Sequence, residues 1–488
     1  MSPLLASLIC TCGIAGLFYL NRDSSIRTSK ALWLPVIYLW IVGSRSVSNW
    51  LGVTSPTNYN EQLNGNPIDA SVFALLGFAA IFVLIQRRHR VRPFLAANWP
   101  ILIYFTYCLI SVAWSSHPDV ACKRWIKALD DLAMCLVILT DRQPRHALQR
   151  VISRVGFVLL PVSLLLIKYY GDLGRGYTAD GEMMNTGVTT NKNMLGVMLF
   201  VVSLFTLWHV ISLFRAKKEP GKGRRLWAQV ALLIFGIVLL RAADSKTSIA
   251  CLTFGAGLIF ATGLRKIRSR PARVHLLCLG VFLLGGLTLF FGAGSFIVHA
   301  MGRQSNLSGR TQIWAALIPA APNALLGAGF ESFWISPNVI KFQETLNREG
   351  WYHAETLNES HDGYLEAYVN LGIVGVGLLA WILIDGYWRA VAAYRRDRLL
   401  GGLLIAYVIQ AGFYNITEAG FRMLDLSWIF LLLAILTASG VAKGMIESEA
   451  PGIHVSRLKT ARMQYAGSRP MPAEAGLPMT PVHPTLWE

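Results

Sequence analysis

Apolar residues run through this chain in long stretches separated by short charged ones. The stretches fall near 2–20, 31–47, 68–85, 98–115, 125–140, 151–169, 193–214, 226–241, 247–264, 274–297, 363–384, 399–417 and 427–445. A membrane-spanning helix needs about 20 such residues. The pattern therefore predicts an all-α polytopic bundle of about 12–13 spans. The second stretch is the weakest, because Arg45 interrupts its end. The first has no basic leader and no small-residue cleavage site, so it reads as a retained helix rather than a signal peptide. With thirteen spans the amino end is outside; with twelve it is inside.

Composition agrees with the pattern. Of 488 residues, 54% are hydrophobic and only 15% are charged. The mean hydropathy is +0.46, which excludes an ordinary soluble domain. A net charge of +18 could suggest a nucleic-acid partner. Its distribution argues against one. Basic clusters at 86–92, 141–150, 215–225, 265–273 and 388–398 each sit in a short connection, two spans from the next. That is the positive-inside signature, and it puts those loops in the cytoplasm. Loops near 48–67, 115–124, 170–192, 242–246, 298–362 and 418–426 then lie outside. The membrane domain is expected over 1–445, and a Pro-containing cytoplasmic tail without apolar periodicity over 446–488 is expected to be disordered. The seven cysteines lie mostly in spans and show neither metal spacing nor a disulfide framework. There is no P-loop, HExxH or dinucleotide fingerprint, so no metal or cofactor is expected.

One outer loop is too long to be a connector. Residues 298–362 are expected to form a large folded periplasmic loop. Within it, Arg310, Ile313, Trp314 and Leu317 share one helical face, suited to a helix lying in the membrane interface. A second, polar helix is expected at 338–347. The aromatic residues Trp314, Phe330, Phe333, Trp334, Trp351 and Tyr352 read as an interfacial belt ahead of a sugar-stacking platform. The loop ends in HDGYLEAYVN, where His361 precedes a span and Asp362, Glu366 and Asn370 line one stripe of it. Polar groups inside a span are costly and usually face a bundle interior or a watery site. Glu366 could orient the imidazole, polarise an acceptor hydroxyl or bond another helix.

Cations stand on the wrong side of the membrane at three other places: Lys192 in TTNKN, Arg241 and Lys246 in RAADSKTS, and Arg310 in SGRTQ. A bound polyanion would account for them. Fixed cations with one titratable imidazole suit glycosyl transfer from a diphosphate-linked lipid. The cations hold the diphosphate as it leaves, and His361 takes the proton of the attacking hydroxyl.

These segments also carry a resemblance. TGVTTNKNMLG (186–196), DSKTS (244–248), SGRTQIW (308–314), LLGAGFESFW (325–334) and HDGYLEAYVNLGIVG (361–375) occur in the order that resembles the bacterial O-antigen ligase and polymerase family, most closely its exopolysaccharide-production subgroup. The resemblance covers roughly residues 100–440. It implies a C-type membrane glycosyltransferase of the bacterial inner membrane with a periplasmic active site. Its donor would be an undecaprenyl-diphosphate-linked glycan and its acceptor another glycan. Transfer would be metal-independent and inverting, with chain-length and export proteins as possible partners. The family histidine falls on His361, and the phosphate-binding basic residues fall on Lys246 and Arg310, with Lys192 in the NKN element. Ligases of the family tend to carry arginine where this chain has Lys246, which fits a polymerase better. The alternatives are an O-antigen ligase acting on lipid A core and, from another class, a lipid-linked oligosaccharide flippase. A flippase should show paired mid-span charges, broken helices and a repeated half.

Overall fold

Each apolar stretch lies on a helix wherever it is described. The computed structural model describes residues 1–447 except 24, 25, 54–64, 178–180, 218, 269–271, 291–309, 352, 353, 355 and 356. The expected tail therefore lies almost wholly outside the described residues. In chain order the helices are α1 (Pro3–Leu20), α2 (Trp33–Val42), α3 (Pro67–Gln86), α4 (Arg88–Ala97), α5 (Trp99–Ser111), α6 (Pro118–Leu139), α7 (Pro144–Tyr169), α8 (Lys192–Arg215), α9 (Lys222–Ala243) and α10 (Lys246–Gly263). They continue with α11 (Ala272–Phe290), α12 (Arg310–Ala320), α13 (Asn338–Arg348), α14 (Gly363–Arg396), α15 (Arg398–Tyr414) and α16 (Leu426–Ala442). A short antiparallel hairpin, β1 (Arg175–Tyr177) and β2 (Met183–Asn185), joins α7 to α8. Many helices begin at a side-chain cap that satisfies orphan backbone N–H groups. Asn66, Asn191, Asp362, Asp397 and Asp425 all accept in this way.

The chain is an all-α polytopic membrane protein, and among the described residues fewer than thirteen helices have full spanning length. Among the described residues, seven helices are long and apolar enough to cross a membrane, or eight if the bent pair α4–α5 is one span. The difference has two causes. The segments Lys30–Val42, Ala272–Leu284, Arg398–Tyr414 and Leu426–Ala442 are apolar but short. Helix α6 has the length, but Asp119, Lys123, Arg124, Lys127, Asp130 and Asp131 crowd it between positions 119 and 131. Helices α8, α15 and α16 are buried on nearly every face, whereas α1 and α3 leave large residues such as Leu8, Leu75 and Phe78 exposed.

Ion pairs sort the two ends of the bundle. Arg87 meets Asp141 at 3.7 Å, Arg90 donates to the Thr140 carbonyl at 3.3 Å, and Arg145 pairs with Asp397 beyond the end of α14. Three of the basic clusters thus share one end. His361, just before the start of the 34-residue α14, belongs to the other. Tyr170, after α7, hydrogen-bonds Ser7 at 2.9 Å, so the amino end lies at the same end as His361.

Two helices are broken. Between α4 and α5 the axis turns by 88°. Inside α14, Gly372 adopts φ 66° and ψ −168°, a region open essentially to glycine alone. The segment 324–329 uses the break. Ile373 N–H bonds the Ala324 carbonyl at 2.9 Å, while Ala328 and Gly329 N–H bond the Val369 and Asn370 carbonyls at 2.9 and 2.8 Å. A Cβ on Gly372 would lie 2.1 Å from the Leu325 carbonyl oxygen, and one on Gly327 would lie 2.4 Å from the Asn370 carbonyl carbon. We expect Gly372→Ala to destabilise the protein by more than about 3 kcal/mol, from strain plus clash. A thermal melt in detergent checks this; an unchanged midpoint would mean that the break relaxes freely.

The outer loop folds as a small body of its own. The polar helix expected at 338–347 is α13 at Asn338–Arg348. Ile313 and Leu317 of α12 pack with Phe333, Phe342 and Leu346, each at most 2% exposed. Hence α12 does not offer its apolar face to a membrane interface; protein covers it. The aromatic residues are corrected with it. Phe330 and Phe333 are core, Trp334 donates to Glu366 at 2.6 Å, Trp314 to the Ser360 carbonyl at 3.0 Å and Trp351 to Gln312 at 2.6 Å. They anchor the loop rather than form a belt. Tyr352 lies outside the described residues.

Candidate functional site

The site is built where helix starts meet. Lys192, Lys246, Arg310 and Gly363 are the first residues of α8, α10, α12 and α14. Unsatisfied N–H groups and the helix dipole make each such end favourable for an anion. Side-chain bonds tie these ends to the segment between α15 and α16. Arg310 donates to the Thr417 carbonyl and pairs with Glu418 at 3.0 Å. Glu418 accepts from Asn193 at 3.1 Å, and Ser245 donates to Asn193 at 3.4 Å. Thr247 and Thr417 share a hydrogen bond of 3.0 Å.

His361 joins the same group. Its Nδ1 lies 3.0 Å from Glu359 Oε1, and Glu359 Oε2 lies 3.7 Å from Arg422. Arg422 also reaches Glu331 at 3.8 Å, and Arg124 of α6 donates to the Glu331 carbonyl. The result is a connected set of imidazole, carboxylates and guanidiniums drawn from α6, the outer loop and the 415–425 segment. His361 has φ 52°, Glu331 φ 49° and Leu424 φ 59°, and Asp244, just before the Ser245–Thr247 turn, has φ 50°. Among the described residues these are the non-glycine positions with positive φ. Each costs about 1–3 kcal/mol and persists only where surrounding contacts over-determine it.

The charges set the protonation of the loop groups. Burial pulls the His361 imidazole down, but the hydrogen bond and charge of Glu359, with the charge of Glu418, more than offset this. Its pKa sits above 6.5 despite Arg310 opposing. Burial alone would raise Glu359; the bond and charge of His361, then Arg422 and Arg310, hold it below its ordinary value. Glu418 is raised by burial, with Arg310 and His361 acting against the rise. Burial lowers the Arg422 guanidinium, and the charges of Glu331, Glu366, Glu359 and Asp425 reverse that into a net rise.

The other residues singled out from the sequence separate into groups. Asp362 is the helix cap, accepting from Tyr364 and Leu365 N–H at 2.8 Å. Glu366 is 2% exposed. Its Oε1 accepts from Trp334 and from Asn370 at 3.2 Å, and its Oε2 accepts from Ser360 N–H at 3.1 Å. Its oxygens are therefore taken up in holding the loop that bears His361. Asn370 completes that clamp, its Oδ1 accepting from Ser332 and Phe333 N–H at 2.8 and 3.0 Å. Lys192 is half-buried and Lys246 exposed, each one residue from the network. Arg241 is exposed on the last turn of α9, five residues before Lys246, and is not drawn into the network.

Sequence reasoning missed Glu359, Glu418, Arg422, Glu331 and Asn193. Asn193 stood inside the NKN element already noted, and Glu331 inside LLGAGFESFW. Glu418 and Arg422 had only one signal: charged residues in the short outer connection 418–426.

These features define a polytopic helical membrane protein with a charged, strained site at one end, under a folded loop. Two comparisons show what it is similar to. The O-Antigen ligase family model matches residues 230–382, from α9 through the outer loop into α14. The chain is also 26% identical over 324 residues to the exopolysaccharide production protein ExoQ of Rhizobium meliloti (strain 1021), covering 65% of this chain and 71% of that protein. The chain resembles the O-antigen ligase/ExoQ-like family, and its ordered motifs carry the same resemblance. That likeness supports a membrane glycosyl-transfer function of the O-antigen ligase/ExoQ type.

Proposed function

We propose that the protein polymerises undecaprenyl-diphosphate-linked oligosaccharide repeat units into an exopolysaccharide or O-antigen chain on the periplasmic face of the inner membrane. The observation that carries this reading is the pairing of His361 with Glu359 beside the Arg310–Glu418 pair, at a point where four helix starts meet. The Glu359 carboxylate selects the tautomer with the proton on Nδ1, leaving Nε2 as the base. Nε2 removes the proton from the acceptor hydroxyl as its oxygen attacks the anomeric carbon. The bond from that carbon to the diphosphate oxygen breaks on the far side. The diphosphate leaves with the electron pair, and the anomeric centre inverts. Arg310, Lys192 and Lys246 carry the growing negative charge, helped by the helix ends. Arg422 keeps Glu359 ionised. Glu366 acts as a positioning residue through Ser360 and Trp334. Arg241 is left as a peripheral cation of the same outer face.

A broken helix is a transporter feature, but the break at Gly372 is taken up by the backbone of the outer loop, which supports the enzyme reading. Polymerase and ligase remain distinguishable by product. The purified protein in nanodiscs would receive a single repeat unit on a polyprenyl diphosphate, with no lipid A core. A ladder of longer lipid-linked chains is expected. Unchanged donor, followed by transfer once lipid A core is added, would overturn the polymerase reading in favour of a ligase.

A further inference from the structure

At the end of the bundle away from His361, the seam between α1 and α7 opens into a cavity of about 480 Å3. Arg22, Arg150 and Arg154 line it, with Asp23, Phe18 and Phe157. We propose that this cavity binds the phosphodiester headgroup of an anionic phospholipid, held by Arg154, Arg150 and Arg22.

The charge balance carries the argument. Asp23 is the cavity's acidic residue, and it pairs with Arg225. Arg150 is anchored, donating to Thr28 and to the Asp23 and Ile26 carbonyls at 3.3 Å. The charge of Asp141 reaches Arg150, but Asp141 accepts from Ser29 N–H at 3.1 Å and meets Arg87. Among the described residues no carboxylate pairs with Arg154. It lies ten residues into α7, about 15 Å along the helix from its start. It does not turn outward, because its guanidinium lies over the Trp33 ring at 4.4 Å. Two guanidiniums side by side, half-buried and short of counter-charge, call for an anion. Arginine matches the oxygens of a phosphate in pairs.

The walls say which kind of phosphate. Phe18 and Phe157 meet edge to face at 5.8 Å, closing one side with apolar surface. Farther along α1, about 15 Å from Phe18 toward the amino end, large residues such as Leu8 and Ile9 face away from the protein. A lipid would lay its acyl chains along that face with its phosphate among the arginines. A soluble phosphate compound would leave the face unused. This is a built site, distinct from the general attraction of basic loops to acidic membranes.

The test is native mass spectrometry of the full chain released from nanodiscs of phosphatidylcholine doped with phosphatidylglycerol. We expect one retained phosphatidylglycerol, and about tenfold weaker retention in Arg154→Gln, as befits loss of one charge-assisted contact. Arg88→Gln, an exposed arginine of the same end outside the cavity, should leave retention unchanged. Equal losses in both variants, or none in Arg154→Gln, would overturn the proposal. So would capture of added sn-glycerol 1-phosphate with no retained lipid, which would mark a soluble ligand. If Arg154→Gln fails to fold, Arg22→Gln carries the same reading, since Arg22 is exposed.

Discussion

His361→Ala is expected to lower glycosyl transfer by about 10²–10⁴-fold, the usual worth of a positioned general base. In cells lacking the native copy, surface polymer should disappear while the protein stays in the membrane and single lipid-linked repeat units accumulate. Long lipid-linked chains in their place would indicate a ligase, and normal polymer would remove His361 as the base. The pH profile gives an independent reading. A base works only when unprotonated. Since the His361 pKa is raised, the rate should climb with pH through an inflection above 6.5. Burial opposes that rise, while Glu359 and Glu418 favour it. Glu359→Gln removes the largest upward influence, so its inflection should move to lower pH. An inflection that stays put would mean that Glu359 does not govern the imidazole.

Arg310→Ala is expected to do two kinds of damage, and a second substitution separates them. Arg310 and Glu418 form a pair with side chains only 16% and 7% exposed. Removing one partner leaves the other buried and unpaired, at about 3–5 kcal/mol. Loss of a group that stabilises the departing diphosphate lowers kcat by about 10²–10³-fold. The neutral pair Arg310→Gln with Glu418→Gln should recover most of the stability and none of the activity. Measured by thermal melt and by transfer rate, recovery of both would assign Arg310 a structural role alone. Loss of activity with intact folding would place it at the diphosphate.

Much of the site was legible because local rules mark it. His361 stood out as an imidazole before a span, and Asp362, Glu366 and Asn370 as a polar stripe at its start. Lys192, Lys246 and Arg310 stood out as cations on the unexpected side. The wrong inferences share a cause. The face of Ile313 and Leu317, and the ring of outer aromatic residues, carry the same pattern whether lipid or protein covers them. Glu366 looked equally suited to chemistry and to clamping, since its partners Ser360 and Trp334 cannot be read from its own surroundings.

What the sequence determined by itself is whatever depends on near neighbours: apolar runs long enough to become helices, polar caps that start them, basic clusters that share one end, and the order of motifs that carries the family resemblance. Tertiary structure decided which of those groups meet. Glu359 and Arg422 are separated by 63 positions in the chain, yet they lie 3.7 Å apart and complete the setting of His361. Helix length and the break at Gly372 were likewise decided there, because a kink is stable only when another backbone takes up the freed hydrogen bonds. The physical reason is range. Propensity and hydropathy act over one or two turns, whereas ion pairing and backbone docking depend on distances that only the packed bundle sets.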